Sequence, residues 1–414
     1  MSEHKLDVAQ LQRREPAAWT ALMARQMGLK DVVVTAVTTH PLLYSGMAGS
    51  FFGSRVARYE LALAGYSDPI AFIGKKTTPA EAHFYRDLAD KIPFLAPTPY
   101  FTHVVGDNAW IILEDVPNAF PPEKWSHVDV EGVIGELAAL HTMFWEQREI
   151  LESYPWLTHF VDKQHKVYSR DELREEKAVY FAEGPAALIS DHAIQNAGRL
   201  APSLLQAANG LIVMRDLGGW PGVLGESHLA AAADLLDDPV PMLEPLLRLP
   251  QTLLHGSPHA YNWRLSLFGE RRLLDWRQVT IGPGVIDLIT LLEQLNLLQD
   301  QRGSGEVLIR PEPLATEETL VDSYLLAMKA ELATQFDARA VRQALPAARC
   351  LYVLQSWFGY FATWFNQMPD KYIWQRANRM SDAELIGTAL QSMVGYRPYL
   401  AEVFSRFLQS YRML

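Results

Sequence analysis

The sequence has one cysteine, no long apolar run and fewer basic than acidic residues. Cys350 alone cannot form an intramolecular disulfide, which suits a reducing compartment. No apolar stretch approaches the ~20 residues that a membrane helix needs, and residues 1–20 are charged, without a signal-peptide core. Lys and Arg total 37 against 48 Asp and Glu, and this net charge of −11 disfavours nucleic acid and anionic membranes as partners. We therefore expect a soluble, cytoplasmic protein with no nucleic-acid or membrane partner.

The chain is rich in residues that can form a core. It has 414 residues, of which 49% are hydrophobic and 11% aromatic, enough to predict a globular protein of two or three units of ~150 residues each. No internal repeat is present. Strand-forming segments cluster near the N-terminus and helix-forming segments dominate the remainder. The pattern predicts an α+β fold with a small sheet-containing unit over residues 1–116 and a large, mainly helical unit over residues 117–414.

Residues 1–116 predict five strands and one helix. The strands are predicted at 32–44, 55–64, 69–76, 100–105 and 109–113, from β-branched content and alternation. Thr78 as N-cap, Pro79 at the first helical position and Glu81 as the third member of a capping box predict a helix that runs to about residue 91. Gly46, Gly49 and Gly53 lie between the first two strands, where glycines allow the backbone to approach a ligand closely.

Residues 117–414 predict amphipathic helices, with one interruption. Apolar residues recur at helical spacing from residue 130, and again over 229–236, 317–336, 341–365 and 382–414. Residues 341–365 carry more aromatic rings than one helix face can hold. We expect most of these rings in the core. The alternative is that some of them line a pocket for the acceptor. Residues 253–287 combine short apolar runs with Gly, Pro, His, Asn and Asp, a pattern typical of loops that carry chemistry.

Asn262 and Asp275 are the candidate metal ligands of this segment. Magnesium prefers oxygen ligands, and phosphoryl transfer needs cations to neutralise phosphate oxygens. The kinase template places an Asn five residues after the catalytic Asp and a metal-binding Asp on the next strand. Here Asn262 follows Ser257 by five residues, and Asp275 lies thirteen further on, enough for a hairpin. The alternative is that both residues only cap local backbone.

The same segment resembles the aminoglycoside phosphotransferase and choline kinase-like superfamily, including its ecdysteroid-kinase-like branch. The family pattern is H-G-D-x-H-x-x-N, a hydrophobic-Asp-Trp/Phe motif, and a Gly-containing stretch that ends in Asp-Leu. This sequence has, in register, His255, Gly256, His259, Asn262, Asp275-Trp276, Gly282-Pro283-Gly284 and Asp287-Leu288. The resemblance implies a two-lobed protein-kinase-like fold, with ATP and Mg2+ as cofactors and a nucleotide and a small-molecule acceptor as partners.

Segments upstream extend the resemblance over some two hundred residues. The stretch around Glu81 resembles the family's first helix with its ion-pairing Glu, and residues 111–116 resemble the hinge between the lobes. The resemblance implies that Glu114 and Val116 meet adenine through backbone groups, and that Gly46 and Gly49 cover the phosphates. The motif L-A-x-L-H matches residues 137–141, where we expect His141 to be a core histidine.

A lysine at the end of the third predicted strand should pair with phosphates and with Glu81. Strand alternation allows only one of Lys75 and Lys76 to point to that side, and the family's apolar-apolar-x-Lys pattern favours Lys75. A solvated strand end is the alternative for Lys75. For Glu81, the capping box alone is an equal alternative to the ion pair.

Ser257 stands where the family has its catalytic Asp. A serine hydroxyl is not a base near neutral pH, and general-base catalysis contributes ~10²–10⁴ in rate. Ser257 is predicted either to position the acceptor hydroxyl or to have no role. For His259, a structural histidine is favoured over a substitute base.

The sequence therefore predicts an ATP- and magnesium-dependent phosphotransferase that acts on a hydroxyl of a small molecule. The alternative from another class is a catalytically inactive pseudokinase that binds a nucleotide or a partner. A related nucleotidyl transfer has no positive sign in the sequence. The sequence names neither the acceptor nor the oligomeric state.

Overall fold

The structure is a computed structural model that describes residues 7–42, 56–160, 203–299, 307–310, 312–365, 371–385, 388 and 391–414. By packing, the chain divides into two compact units. Unit 1 comprises residues 1–136 and 255–279, and unit 2 comprises residues 137–254 and 280–414. The segment with the chemical motifs of residues 255–279 thus packs within unit 1. The expected domain boundary between residues 116 and 117 stays a prediction.

Helices and strands are numbered separately, in chain order. The helices are α1 Val8–Gln12, α2 Pro16–Gln26, α3 Pro79–Asp87, α4 His127–Met143, α5 Arg148–Glu152, α6 Ser203–Leu217, α7 Glu226–Asp237, α8 Val240–Leu247, α9 Val285–Gln294, α10 Glu317–Leu332, α11 Ala338–Tyr352, α12 Gly359–Trp364, α13 Lys371–Ala377, α14 Asp382–Leu385 and α15 Gln391–Tyr411. The strands are β1 Val34–Leu42, β2 Val56–Leu63, β3 Ile70–Thr77, β4 Pro99–Val105, β5 Asn108–Glu114, β6 Thr252–Leu254, β7 Trp263–Leu265, β8 Arg271–Leu273, β9 Thr280–Gly282, β10 Leu297–Gln299 and β11 Val307–Ile309. A π-helical segment, Val353–Phe358, joins α11 to α12. None of the helices within the described ranges is long and apolar enough to cross a bilayer.

Unit 1 is built on a five-stranded antiparallel sheet in the order β1-β2-β3-β5-β4. β3 lies at the centre, where Lys75 pairs with Val56 on one side and Ile111 on the other. Because side chains alternate across a strand, Lys75 is buried and Lys76 is exposed. The five predicted strands and the helix after β3 are present, each within a few residues of its predicted bounds.

One face of the sheet is covered by two N-terminal helices that the sequence analysis did not predict. Trp19 of α2 stacks on Tyr59 of β2 with ring centroids 5.0 Å apart, and its indole N–H donates to the carbonyl of Leu11 at 3.0 Å. Trp19, Leu22 and Leu11 are almost fully buried. Complete burial of each such side chain contributes roughly 1.5–3 kcal/mol, so the two short helices are held by packing rather than by intrinsic helicity.

Unit 2 is mainly helical. His141 of α4 lies with its Nδ1 2.8 Å from the Tyr324 hydroxyl and its Nε2 3.4 Å from Asp287 Oδ2, and all three side chains are buried. Gly284 allows this approach, since a Cβ there would lie 2.5 Å from the Tyr324 hydroxyl. His141 is therefore a core histidine, as the sequence suggested.

The aromatic segment over residues 341–365 is not one regular α-helix. The π-helical segment Val353–Phe358 shifts the side-chain register by its wider turn, so that rings on both sides of it can be buried. Trp357, Phe358 and Phe361 are among the buried rings. Helix α6 approaches this segment closely at Gly210, where a Cβ would lie 1.6 Å from the Phe358 carbonyl oxygen. These rings form core, the first of the two interpretations.

Candidate active site

Lys75 is the centre of a buried ion cluster in unit 1. Its Nζ lies 2.9 Å from Glu81 Oε1, 2.8 Å from Glu81 Oε2 and 2.7 Å from Asp275 Oδ1. Glu81 comes from the first turn of α3, and Asp275 follows β8, 200 residues after Lys75 in the chain. The lysine that strand alternation and the family pattern favoured is thus the one that meets both carboxylates.

Glu81 does not close the capping box at the start of α3. Thr78 Oγ1 accepts from the Glu81 backbone N–H at 3.4 Å, which is half of the box. The Glu81 carboxylate instead accepts from Lys75, from the Thr77 hydroxyl and, at 3.1 Å, from the Trp276 backbone N–H. A fully buried carboxylate with three donors is expected, because an unpaired buried charge is very costly. The prediction of a complete capping box is wrong, since the tertiary contacts take the carboxylate.

Packing of Trp276 holds Asp275 in place. The Trp276 ring stacks on Phe84 of α3, with centroids 3.9 Å apart and planes 9° apart, and it meets His255 edge-on at 4.6 Å. Asp275 adopts the left-handed conformation, φ 67° and ψ 61°, which costs a non-glycine residue about 1 kcal/mol. Such strain is typical of functional sites, where surrounding contacts over-determine the backbone.

The charges around Asp275 keep it ionised. Arg277 donates Nε to Asp275 Oδ1 at 2.5 Å and Nη2 to Oδ2 at 2.6 Å, a bidentate pair. Burial alone would raise the pKa of Asp275, but the charges and hydrogen bonds of Lys75 and Arg277 outweigh it and hold the pKa well below its usual range. Sequence reasoning missed Arg277. Its position two residues after Asp275 was the available signal.

The loop that contains Ser257 is held by backbone contacts. His255 accepts from the Ser257 N–H at its Nδ1, 3.2 Å away, and its Nε2 lies 2.9 Å from the Leu274 carbonyl oxygen, an arrangement that fits a neutral ring with the proton on Nε2. Gly256 has φ +82°, and a Cβ there would lie 2.2 Å from the Gln278 carbonyl oxygen. Only glycine fits this crossing of the two loops.

Asn262 joins the Ser257 loop to the Asp275 segment. Its side-chain Nδ2 donates to the Ser257 backbone carbonyl at 2.8 Å, and the backbone carbonyl of Asn262 accepts from the Leu274 N–H at 2.8 Å. These bonds bring the predicted metal ligands, Asn262 and Asp275, to adjacent chain segments. Asn262 Oδ1 is buried and accepts no hydrogen bond within the described part of the chain. Leaving a buried acceptor unsatisfied costs about 1–3 kcal/mol, so this oxygen is suited to a cation.

Asn262 and Asp275 are of the ligand types that magnesium takes, although Arg277 already holds both oxygens of Asp275. Magnesium is bound in proteins by one or two carboxylates with phosphates and water, and an amide oxygen beside an ionised carboxylate meets that need. Over the residues described here, no three His, Cys, Asp or Glu side chains group as metal ligands. Asn262 and Asp275 would hold such an ion if Arg277 released the carboxylate, and the bound ion would neutralise phosphate oxygens.

His259 is a poor base. Burial lowers the pKa of its imidazole to about 4, against the opposing influence of Asp275. Its conjugate acid is therefore too strong for the neutral ring to hold a proton from an alcohol near pH 7. The role of His259 in the site stays a prediction.

Part of the predicted hinge already forms hydrogen bonds within the protein. The Glu114 N–H donates to the Thr98 carbonyl at 2.9 Å, and the Glu114 carboxylate accepts from the Thr98 N–H at 3.1 Å. Among the described residues, none accepts from the Val116 N–H. The predicted phosphate loop with Gly46 and Gly49 lies outside the described residues.

Solved structures similar to this chain are small-molecule kinases. Choline kinase from Cryptosporidium parvum Iowa II has a TM-score of 0.50 at 10% identity, over 96% of this chain and 95% of that chain. Ethanolamine kinase from Plasmodium vivax has a TM-score of 0.44 at 11% identity, over 98% and 93% of the two chains. Choline kinase LicA from Streptococcus pneumoniae has a TM-score of 0.42 at 11% identity, over 93% and 98%. No family model matches the chain, and no curated protein matches its sequence.

The likeness to the Cryptosporidium enzyme shows the fold. This chain has a protein-kinase-like α+β fold, and the expected fold class is confirmed. At this level of identity the residues of the site carry the functional argument by themselves.

Proposed function

We propose that this chain is a nucleotide-dependent phosphotransferase that acts on a hydroxyl group of a small molecule. The observation that carries the proposal is the position of Lys75 between Glu81 and Asp275. In kinases a strand lysine paired with a helix glutamate holds the nucleotide phosphates, and a second-loop aspartate holds the metal. Among the described residues, unit 1 brings the three residue types of that set together.

Each residue has a stated part in the proposed reaction. Lys75 binds ATP phosphates and is oriented by Glu81. Asn262 and Asp275 would hold Mg2+ where it binds, and the Val116 N–H binds the base of the nucleotide. Ser257 positions the acceptor hydroxyl through its own hydroxyl, for which no described residue is a hydrogen-bond partner. Catalysis then rests on proximity and on electrostatic stabilisation of the transferred phosphoryl group, since no carboxylate base is present at Ser257.

The second candidate is a pseudokinase that binds nucleotide without transferring phosphate. Ser257 favours it, because the kinase template has a carboxylate there to accept or orient the proton of the alcohol. The lowered pKa of His259 favours it further, since this ring is a weak substitute.

Transfer of radiolabelled γ-phosphate from ATP to a panel of small alcohols separates the two candidates. The phosphotransferase predicts labelled product with at least one alcohol, lost in Asp275→Ala and retained in Glu244→Gln, which neutralises an exposed carboxylate paired with Arg248. The pseudokinase predicts an ATP-induced thermal shift with no labelled product. Neither a shift nor a product at millimolar ATP would contradict both.

A further inference from the structure

Arg277 occupies the carboxylate on which the candidate metal site depends. Its two donors lie 2.5 and 2.6 Å from the two oxygens of Asp275, the parallel geometry that makes arginine-carboxylate pairs the strong ones. The side chains of Arg277 and Asp275 are only 19% and 11% exposed, so solvent screens the pair weakly.

The acceptor capacity of Asp275 is nearly exhausted. An ionised carboxylate offers about four lone-pair positions. Lys75 Nζ and Arg277 Nε use Oδ1, and Arg277 Nη2 uses Oδ2, so three donors are already bound. A metal ion could reach only the remaining position on Oδ2, beside the positive guanidinium. Metal and Arg277 therefore compete for Asp275.

The charge of the cluster also fails to attract a third cation. Lys75 and Arg277 balance Glu81 and Asp275, and Ser257 adds no charge where the kinase template has a carboxylate. Glu81 is saturated by Lys75, Thr77 and the Trp276 N–H. Without a nucleotide, a divalent ion meets two cations at the carboxylate it needs.

We propose that Arg277 is a resident cation of Asp275 that competes with divalent metal, so that this chain binds metal weakly and binds nucleotide with little dependence on magnesium. In the nucleotide complex, Arg277 and Lys75 together neutralise the phosphates that a metal neutralises in other kinases. The nucleotide half of this inference rests on the proposed function, and the metal half does not.

Binding of Mn2+ alone, followed by electron paramagnetic resonance, tests the competition. Arg277→Gln should raise the affinity of the folded protein for Mn2+ by about ten- to a hundredfold, the worth of a charge-assisted hydrogen-bonded pair. Arg277→Lys keeps the charge without the bidentate contact and should give a smaller rise; it also serves as the test if Arg277→Gln does not fold. Unchanged Mn2+ affinity in the folded variant would overturn the proposal.

A double variant tests where the additional Mn2+ binds in Arg277→Gln. Asp275→Asn in the Arg277→Gln background should remove the gain in Mn2+ affinity, because the ion then lacks its carboxylate. A gain that persists would place the ion elsewhere and contradict the competition at Asp275.

Thermal shifts with ATP in magnesium and in EDTA test the nucleotide half. ATP should raise the melting temperature of the wild-type protein to a similar extent in magnesium and in EDTA. It should raise that of Arg277→Gln only in magnesium. A wild-type shift that disappears in EDTA would overturn this half. If neither protein shifts in either buffer, the proposed function fails, while the Mn2+ measurement still decides whether Arg277 competes with metal.

Discussion

Lys75 Nζ lies 2.7 Å from Asp275 Oδ1, across 200 residues of sequence. This contact joins the central strand of the sheet to the segment after β8. The stability of the contact and its proposed chemistry both depend on two carboxylates, Glu81 and Asp275, that pair with two cations.

Removing the charge of Asp275 should destabilise the protein. In Asp275→Asn, Arg277 loses its bound carboxylate, and we expect the free energy of unfolding to fall by about 3 kcal/mol, as for one broken partner of a buried pair. Urea unfolding at pH 7 measures it. Glu244→Gln, in an exposed pair with Arg248, is the matched control and should cost within about 0.5 kcal/mol. Equal losses in the two variants would contradict the account.

Asp275 also predicts an acid dependence. Its pKa in the folded protein lies below the value in the unfolded chain, so its contribution to stability is fully present above the unfolded value of roughly 4 and is lost as the pH falls toward the folded value. The unfolding free energy of wild type should therefore fall more steeply below roughly pH 4 than that of Asp275→Asn. Parallel pH profiles would show that the carboxylate is not held ionised.

His259 should titrate near pH 4. Burial lowers the pKa of the imidazole, so the folded protein binds fewer protons than the unfolded chain between pH 4 and roughly 6.5, and stability falls as the pH is lowered through that window. NMR of the ring protons, assigned by their absence in His259→Gln, measures the midpoint. A midpoint near 6.5 would mean that the ring is solvated and available as a base.

Gly256 should not tolerate alanine. Both Gly256 and Gly269 have positive φ, +82° and +81°, so alanine strains either position by about 1 kcal/mol. A Cβ on Gly256 would also lie 2.2 Å from the Gln278 carbonyl oxygen, whereas nothing lies within 4 Å of one on Gly269. Gly256→Ala should therefore lose clearly more unfolding free energy than Gly269→Ala, and similar losses would argue against the close crossing of the loops.

Ser257→Asp should restore a base for the acceptor. We expect any measurable phosphate transfer to rise by about 10²–10⁴-fold, the usual contribution of general-base catalysis. Ser257→Asn, of similar size and without charge, is the control and should give no rise. A rate in Ser257→Asp that is unchanged or lower would mean that the site is organised around the serine hydroxyl.

Local patterns in the sequence were sufficient for the sheet of unit 1. Alternation of apolar and polar residues and the capping signal at Thr78 placed β1 to β5 and α3, because both depend on neighbours close in sequence. Helix α2 was not predicted, although Trp19, Leu22 and Met23 follow helical spacing.

The site was predictable as a set of residues and not as a network of bonds. Spacing and family resemblance selected Lys75, Asn262 and Asp275. Which donors saturate Glu81, and whether Arg277 reaches Asp275, depend on tertiary packing that no local pattern encodes. Sequence reasoning therefore missed the cation nearest to the candidate metal ligand.

A comparison of Lys75→Met with Lys76→Met, by the thermal shift that ATP and magnesium induce, tests the central claim most directly. The two lysines are neighbours on β3, one buried in the ion cluster and the other exposed, so the pair is matched in sequence and in charge. Each shift is measured against the variant's own melting temperature without ATP. The account predicts a shift of a few degrees in wild type and Lys76→Met and none in Lys75→Met. No shift in wild type, or equal shifts in the two variants, would contradict it.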